Sequence, residues 1–267
     1  MALKELEKKR QIADLTLKKI NSVSQETITI DIQKKILNAL KNTGVEQFYF
    51  VMDLRSLRLS HSNGFLKCLG ISDNLMWNDY LQLIHPSMND LQMLYDYFLH
   101  TELSGTGAIK EFMMPKFISI LAMKHRNKNF HLIKRTTTPF QIDTTGQPTA
   151  YLNVFQIISE YQGEPMQIRI IDFSGNRYHD LENTFKQFIL DNAKYILPFS
   201  KKELMILKLM AEEPYLDNDM LAEKQGVKKT TIQTLNTRIL KKANYNFGLE
   251  FDTGAKVAAF LKAQMLF

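Results

Sequence analysis

The sequence predicts an α+β domain that is joined through one linker helix to an all-helical carboxy-terminal domain. Between residues 44 and 175, two strand-like tracts are followed by short helices and then by three or four more strand-like tracts. This order is that of an α+β fold and not the alternation of a doubly wound sheet. Residues 176–198 have the apolar spacing of one helix, and residues 199–267 have that of four short helices.

Composition and charge restrict the classes of protein that the chain can belong to. The 267 residues are 45% apolar and carry a net charge of +6. No apolar run reaches the roughly 18 residues that a membrane span needs, and the single cysteine, Cys68, excludes disulfide and Cys-rich zinc frameworks. We therefore expect a cytoplasmic protein without a membrane partner.

The positive charge lies at the two ends of the chain. Residues 1–19 hold six basic and three acidic residues, residues 20–197 hold seventeen of each, and residues 198–267 hold eleven and eight. An anionic partner is accordingly expected at the ends, although a basic tail that only aids solubility would have the same composition.

Residues 1–43 are expected to form amino-terminal helices that could support dimerisation. A heptad-like seam runs through Leu3, Leu6, Ala13, Leu17 and Ile20. A second helix is predicted over residues 31–41, with an apolar face that consists of Ile32, Ile36, Leu37 and Leu40. A frayed terminal helix is the alternative for the first of the two.

The predicted elements of residues 44–175 follow from apolar spacing and β-branched content. The expected strands are Gln47–Leu54, Leu57–His61, Phe117–Met123, Phe130–Thr138, Ala150–Ser159 and Met166–Phe173. The expected helices are Asn63–Leu69, Asn78–Leu83 and Asn89–Thr101.

This part of the chain resembles a PAS sensor domain. The similarity lies in the element order, in the short helix that ends in Leu-Gly-Ile-Ser at residues 69–72, and in Leu-Ile-His-Pro at residues 83–86. The resemblance implies a pocket that holds haem, flavin, a small metabolite or nothing, so the ligand stays unknown. Cys68 does not lie in the motif of the flavin photoreceptors, which favours a structural thiol.

A linker helix is predicted over residues 178–198. Its seam consists of Leu181, Phe185, Phe188, Asn192 and Tyr195, spaced by four and three residues. Two interpretations are open: pairing across a dimer axis, or packing on the sheet of the same chain.

The carboxy-terminal domain, residues 199–267, begins with a capping box at Ser200 and Glu203. Asp217 is expected to cap a second helix that ends at Gly226. The four predicted helices are Lys201–Glu212, Asn218–Gln225, Thr230–Ala243 and Gly254–Leu266.

Two short helices joined by a tight turn, the second of them basic, are typical of a helix-turn-helix. Residues 228–249 contain five lysines or arginines and no acidic residue. The inward face of the third helix is expected to carry Ile232, Leu235 and Ile239. Cationic side chains neutralise phosphates, and Gln or Arg can read base edges. A solvated basic helix would show the same charge pattern.

The tail also resembles the LuxR-type (FixJ/NarL-like) DNA-binding domain. The matching residues are Phe199, Ser200, Lys202, Glu203, Ile206, Leu207, Leu209–Ala211, Asn218–Ala222, Thr231–Gln233, Arg238–Lys242, Ala255, Val257 and Ala258. The resemblance implies groove contacts from Gln233, Thr234, Thr237 and Arg238, and backbone contacts from Lys229, Thr230, Thr231 and Lys241.

Four features depart from that family. Glu213 replaces a glycine, and about two extra residues lengthen the turn at residues 214–217. Lys228 replaces a capping serine, and Gln233-Thr234-Leu235 stands in place of a Lys-x-His. The target sequence of a relative therefore does not transfer to this chain.

The function predicted from the sequence is that of a dimeric transcription regulator that binds double-stranded DNA and senses a small molecule or a protein. The alternative is an adaptor that presents the helix-turn-helix surface to a protein partner. We expect no metal, no cofactor and no enzymatic activity, since the histidines are scattered and no catalytic motif occurs.

Overall fold

A computed structural model describes residues 30–41, 46–56, 58–99, 112–144, 146–172 and 174–267. The seam predicted over residues 3–20 lies outside the described residues. The helices are α1 (Ile30–Lys41), α2 (Phe65–Leu69), α3 (Trp77–Leu83), α4 (Pro86–Tyr97), α5 (His179–Ile196), α6 (Lys201–Glu212), α7 (Asn218–Gln225), α8 (Lys229–Phe247) and α9 (Gly254–Ala263).

The strands form one antiparallel sheet, which confirms the predicted α+β class of this part of the chain. They are β1 (Gln47–Asp53), β2 (Arg58–Asn63), β3 (Lys116–Lys124), β4 (Phe130–Ile142), β5 (Pro148–Glu160) and β6 (Gln167–Ile171). Their order across the sheet is β2-β1-β5-β4-β3-β6. β4 and β5 are longer than predicted, because their pairing continues past Pro139 through irregular register to the turn that begins at Asp143.

One face of the sheet packs against α2, α3 and α4 through aromatic rings. Phe48 and Phe155 stack with their ring centroids 4.8 Å apart, and Phe65 of α2 meets the Phe48 ring edge-on at 4.6 Å. Tyr80 of α3 contacts Phe50 with centroids 5.0 Å apart. These rings are almost completely buried, so apolar burial holds the helices on this face.

The opposite face of the sheet carries α1. Leu37 is buried with Tyr49, Phe140 and Leu152 in a separate apolar cluster. The predicted face of α1 is partly wrong, because Ile32 is 47% exposed whereas Gln33 is buried. Gln33 Nε2 donates a hydrogen bond to the carbonyl of Phe140, which compensates for the burial of its amide.

Helix α5, predicted to be a linker, packs on the sheet-containing part of its own chain. Phe185 is 1% exposed, and its ring contacts those of Tyr95 and Phe98 of α4 at 5.2 Å and 5.0 Å. Phe188 contacts Phe98 and also stacks near Tyr97. Of the two interpretations of this seam, packing within the chain accounts for both phenylalanines. The side chain of Tyr195 lies outside the described ones.

The carboxy-terminal helices α6–α9 enclose apolar side chains of their own. Ile206, Leu221, Ile239 and Leu261 are each at most 1% exposed. The predicted bounds of α6 and α7 are confirmed, and α8 extends beyond the predicted Ala243 to Phe247, where Gly248 ends it at φ 60°. α9 ends at Ala263, three residues earlier than predicted.

These helices rest against the amino-terminal end of α4. Gln264 is fully buried, and its Nε2 donates a hydrogen bond to the carbonyl of Ser87 over 3.4 Å. A Cβ atom at Gly248 would lie 3.6 Å from Pro86 Cγ. His85 lies at the same junction, and burial lowers its pKa to about 4, so the imidazole is neutral there at pH 7. Helix α4 thus contacts the sheet, α5 and the carboxy-terminal helices.

The packing of α5 yields a prediction about stability. We expect Phe185→Ala to lower the free energy of unfolding by about 3–5 kcal/mol, because it leaves a cavity between α5 and α4. Chemical denaturation at several protein concentrations measures the loss, which should be the same at each concentration. Tyr178→Ala is the control, since Tyr178 is exposed. A loss that disappears on dilution would instead place Phe185 in a dimer seam.

Candidate nucleic-acid interface

The pair α7–α8 is held in a fixed arrangement by its turn. Asp217 Oδ1 accepts hydrogen bonds from the amides of Asp219 and Met220, which confirms it as the cap of α7. Gly226 ends α7 in the left-handed conformation at φ 60°, where a side chain would be strained. The amide of Val227 bonds to the carbonyl of Ala222. The chain therefore passes from α7 to α8 through only three residues.

A polar contact joins α7 to α8. Asn236 Nδ2 donates a hydrogen bond to Asn218 Oδ1 over 2.8 Å. The first residue of α9 packs closely at the same place, because a Cβ atom at Gly254 would lie 3.0 Å from Asn236 Oδ1 and 3.1 Å from Met210 Sδ. Only a residue without a side chain fits this approach without displacing its neighbours.

The inner face of α8 is apolar. Ile232 and Ile239 are fully buried, Ala243 joins them one turn further on, and Leu235 is half-buried beside them. The spacing of seven and four residues places the buried side chains on one stripe. This stripe fixes the rotation of α8 about its own axis and therefore decides which side chains point to solvent.

All eight residues predicted to contact DNA are exposed in the structure. They are Lys229, Thr230, Thr231, Gln233, Thr234, Thr237, Arg238 and Lys241. All of them lie on α8, and they occupy the part of its circumference away from the buried stripe. The outer face of α8, as we call this set, is polar along three turns.

Two threonines of the outer face use their hydroxyl protons within the helix. Thr234 Oγ1 donates to the carbonyl of Thr230 over 2.9 Å, and Thr237 Oγ1 donates to that of Gln233 over 3.0 Å. Their hydroxyl oxygens and methyl groups remain at the surface. In this state these threonines offer methyl groups and acceptors to a partner, while the donors come from Gln233, Arg238 and Lys241.

The cations of α8 differ in how they are paired. Lys229 Nζ lies 2.7 Å from Asp219 Oδ2, and this hydrogen bond raises the pKa of Lys229. Both side chains are more than half exposed, so the pair is weak and easily exchanged. Among the described residues, no carboxylate forms an ion pair with Arg238 or Lys241. These two side chains are the cations best placed to meet an anionic partner.

Lys242, by contrast, is not part of the outer face of α8, because its ammonium group pairs with a carboxylate of α6. Its Nζ lies 2.6 Å from Glu203 Oε2, and Glu203 is almost completely buried. The same carboxylate accepts a hydrogen bond from the amide of Ser200, whose hydroxyl accepts one from the amide of Glu203. The predicted capping box is therefore confirmed, and it also ties α6 to α8.

The carboxy-terminal extension of α8 adds residues that the sequence prediction missed. Tyr245 is 78% exposed and lies four and seven residues after Lys241 and Arg238, which places it on the same face. The prediction ended the helix at Ala243. The signal for the longer helix was Gly248, which ends it in the left-handed conformation.

The structure shows the consequences of two departures from the LuxR-type pattern. Lys228 stands at the N-cap of α8 and makes no side-chain capping bond, as expected. Glu213 accepts a hydrogen bond from Lys224 Nζ over 2.5 Å and one from Tyr215 Oη over 3.2 Å. Side-chain contacts of Glu213 thus connect the lengthened turn to Lys224 of α7.

Other candidate chemistry has little support in the described part of the chain. No group of three or more His, Cys, Asp or Glu side chains gathers there in a way that could hold a metal ion. His125 and His131 face each other across the β3–β4 hairpin, with ring centroids 5.4 Å apart. Cys68 is buried, and burial raises the pKa of its thiol. None of the described helices has the length and apolar character needed to cross a membrane.

Comparisons with known proteins give only distant similarities. No protein-family model matches the chain, and no curated protein matches it. One similar solved structure is the VqmA dimer of Vibrio cholerae, which is described in the context of DNA binding by LuxR-type receptors. Its sequence is 13% identical to this chain, and the TM-score is 0.32. The match covers 90% of this chain and 93% of that one.

Two further solved structures show similarly low scores. A PAS domain from Colwellia psychrerythraea is 15% identical, with a TM-score of 0.34 over 48% of this chain and 98% of that one. A LOV protein of Rhodobacter sphaeroides is 12% identical, with a TM-score of 0.32 over 77% and 97% of the two chains. At these identities and TM-scores, the similarities assign no function to the chain.

The link between α6 and α8 predicts an acid-sensitive contribution to stability. Burial alone would raise the pKa of Glu203, but the hydrogen bonds from Lys242 and Ser200 outweigh it and lower this pKa. A carboxylate whose pKa is lower in the folded state contributes stability above its unfolded pKa of about 4.3, and loses it as the pH falls further.

We therefore expect Glu203→Gln to lower the free energy of unfolding by about 1–3 kcal/mol at pH 7, and by progressively less as the pH falls below about 4.3. Urea denaturation at pH 7 and at steps below pH 4.3 measures the difference. The control is Glu250→Gln, because Glu250 is exposed. A constant difference at all pH values would contradict the role of the carboxylate charge.

Proposed function

We propose that the chain is a non-enzymatic transcription regulator that binds double-stranded DNA through the outer face of α8. The observation that carries this proposal is the exposure of Gln233, Arg238 and Lys241 on one helix face whose opposite side is buried. Long cations on such a face neutralise phosphates, while Gln and Arg can bond to base edges.

The dimensions of α8 suit the major groove of DNA. Its 19 residues correspond to a length of about 28 Å, and a helix with its side chains is about 10–12 Å wide. The major groove is about 12 Å wide. We propose that α8 enters this groove from its amino-terminal end, with α7 across the backbone, as in other helix-turn-helix proteins.

We propose further that the sheet-containing part of the chain is a PAS-like sensor, and that α4 connects it to the DNA-binding helices. α4 contacts α5 through Tyr95, and its amino-terminal end contacts Gln264 through Ser87. A ligand that moves α4 would therefore change the position of α8. In a cytoplasmic homodimer, such a change would alter the spacing of two recognition helices.

A protein-interaction adaptor is the second candidate function. It is supported by exposed apolar and aromatic side chains on α7, on α8 and in the turns that precede them, namely Tyr215, Met220, Val227 and Tyr245. Such side chains are common at interfaces between proteins. In this function the outer face of α8 would contact an acidic protein surface and would show no preference for any DNA sequence.

The first test of the proposal measures the electrostatic part of DNA binding. We expect the double variant Arg238→Ala/Lys241→Ala to bind duplex DNA at least about tenfold more weakly, and to reduce the slope of log affinity against log salt by about 2. Fluorescence anisotropy with a duplex selected from random sequence measures both quantities. Lys229 stays unchanged, because its removal would leave Asp219 unpaired.

The matched control is Lys186→Ala/Lys208→Ala, which removes two exposed lysines from α5 and α6. It has the same net charge as the test variant, so a non-specific charge effect would weaken both equally. Equal affinities of the two double variants would overturn the assignment of the outer face of α8. Failure to select any preferred duplex sequence would favour the adaptor.

The second test addresses base recognition. Removing the amide by Gln233→Ala should reduce discrimination at one base pair by about 1–3 kcal/mol, while the salt slope stays as in the wild type. Affinity measurements on a set of duplexes with single base-pair changes provide the comparison. The control is Thr230→Ala, a predicted backbone contact that should weaken all duplexes alike. A uniform loss with Gln233→Ala would place this side chain on the backbone instead.

A further inference from the structure

A groove lies on the face of the sheet that carries α1. One wall is α1, the other is the hairpin of β1 and β2, and the floor is made of sheet residues. Its volume is 370 Å³, which falls within the range of about 300–1,000 Å³ that is usual for small-molecule sites. We call it the outer groove, because it lies on the face of the sheet opposite to α2, α3 and α4.

The floor of the outer groove is apolar and is separate from the aromatic interior. It consists of Val51, Phe140 and Ala150, which are buried in the same cluster as Leu37 of α1. The stacked rings on the other face of the sheet belong to a different cluster. The floor therefore offers apolar contact to a ligand that binds outside the interior of the domain.

The position of α1 beside this floor is fixed by two side-chain amides. Gln33 Nε2 donates a hydrogen bond to the carbonyl of Phe140 over 3.2 Å, and Gln141 Nε2 donates one to Gln33 Oε1 over 3.5 Å. Lys34, the next residue of α1, is exposed and lines the groove. The helix thus holds one cationic side chain at the edge of an apolar surface.

The hairpin wall contains an irregularity that turns a histidine toward the groove. Tyr49 pairs with Asn63 and Val51 with Ser60, so β2 has one residue more than β1 between these pairs. His61 adopts the left-handed conformation in this β-bulge, at φ 51°. Successive residues of a regular strand point to opposite faces, yet Ser60 and His61 both line the groove. Bulges that redirect a side chain in this way are common beside functional sites.

The walls carry more positive than negative charge. Among the described residues that line the groove, Lys34 and Arg55 are cationic and Asp53 alone is acidic. Asp53 Oδ1 accepts hydrogen bonds from the amides of Arg55 and Ser56, and Arg55 Nη2 lies 3.9 Å from Asp53 Oδ2. Arg55 therefore balances the charge of Asp53. No carboxylate in the described part of the chain forms an ion pair with Lys34, which leaves one positive charge unbalanced.

We infer that the outer groove binds a small monocarboxylate with an apolar body. The apolar body would cover Val51, Phe140 and Ala150, and the carboxylate would accept hydrogen bonds from Lys34 and from the imidazole of His61. One unbalanced positive charge matches a monoanion and does not match a cation. The site involves no residue of α8, so the inference goes beyond the proposed function and does not require DNA binding.

The first test uses benzoate as the probe, a carboxylate on an apolar ring. We expect saturation-transfer NMR of the full chain to detect binding of benzoate but not of benzamidinium, which has the same ring and the opposite charge. Acetate has the charge without the ring and should not displace benzoate at equal concentration. Absence of transfer to benzoate, equal transfer to both ring compounds, or displacement by acetate would overturn the inference.

A pair of neighbouring lysines distinguishes the groove from other basic surfaces. Lys34→Gln should weaken benzoate binding about threefold to fivefold, the loss expected for one exposed ion pair. Lys35→Gln is the matched control, because Lys35 is the next residue of α1 and is exposed but does not line the groove. It makes the same change in net charge and should leave binding unchanged. Equal weakening by both variants would contradict the assigned site.

The role of the bulge is tested by His61→Asn. Asn tolerates the left-handed conformation, so this variant keeps the backbone and removes the imidazole. We expect benzoate binding to weaken about twofold to tenfold, the loss of one hydrogen bond. His179→Asn is the control, because His179 is exposed at the start of α5. Undiminished binding by His61→Asn would contradict the assignment of this side chain and of the groove.

Backbone NMR shifts locate the bound probe directly. Benzoate should shift the amide resonances of Val51, Ser60 and Ala150, which line the groove. The amides of Tyr80 and Phe155, which lie in the aromatic interior, should stay unchanged. Shifts in the second set without the first would place benzoate in the interior and would overturn the inference.

Discussion

The burial of one apolar stripe on α8 is the constraint on which the candidate site depends. Ile232 and Ile239 are fully buried among the carboxy-terminal helices, and removing them from water fixes the rotation of α8 about its axis. Gln233, Arg238 and Lys241 reach solvent for that reason. The link from Lys242 to the buried carboxylate of Glu203 fixes the same rotation from one side. Stability and exposure of the polar face therefore have a common physical origin.

Helix α4 gives the molecule its second organising feature. It supplies Asp96 to the buried ion pair with Arg135 of β4, Tyr95 and Phe98 to the contact with Phe185 of α5, and Ser87 to the contact with Gln264. These contacts share one rigid helix, so a change at one of them can affect the others without a long chain of intermediates. This arrangement is the physical basis of the proposed coupling between a signal and DNA binding.

Local patterns predicted much of this structure from the sequence. The periodicity of Ile232, Leu235 and Ile239 predicted which face of α8 is buried. Asp217 and Gly226 predicted the two ends of α7. Both predictions succeed because periodicity and helix caps depend on residues that are close together in the sequence. Interactions between distant residues could not be predicted in this way. Arg135 and Asp96 are 39 positions apart in the sequence, and neither has a local pattern that indicates a buried partner. The burial of Gln33 in place of Ile32 likewise depends on the carbonyl of Phe140, which only the tertiary fold supplies.

The most direct measurement of the central claim is the protection of the outer face of α8 by DNA. The one native thiol, Cys68, is buried. A cysteine introduced by Thr237→Cys would therefore be the reactive site for a maleimide. The reference is a second variant, Met205→Cys, because Met205 lies on the exposed surface of α6. The account predicts that a selected duplex slows labelling at position 237 but not at 205, and that added salt removes this protection. Undiminished labelling at position 237 in the presence of saturating duplex would contradict it.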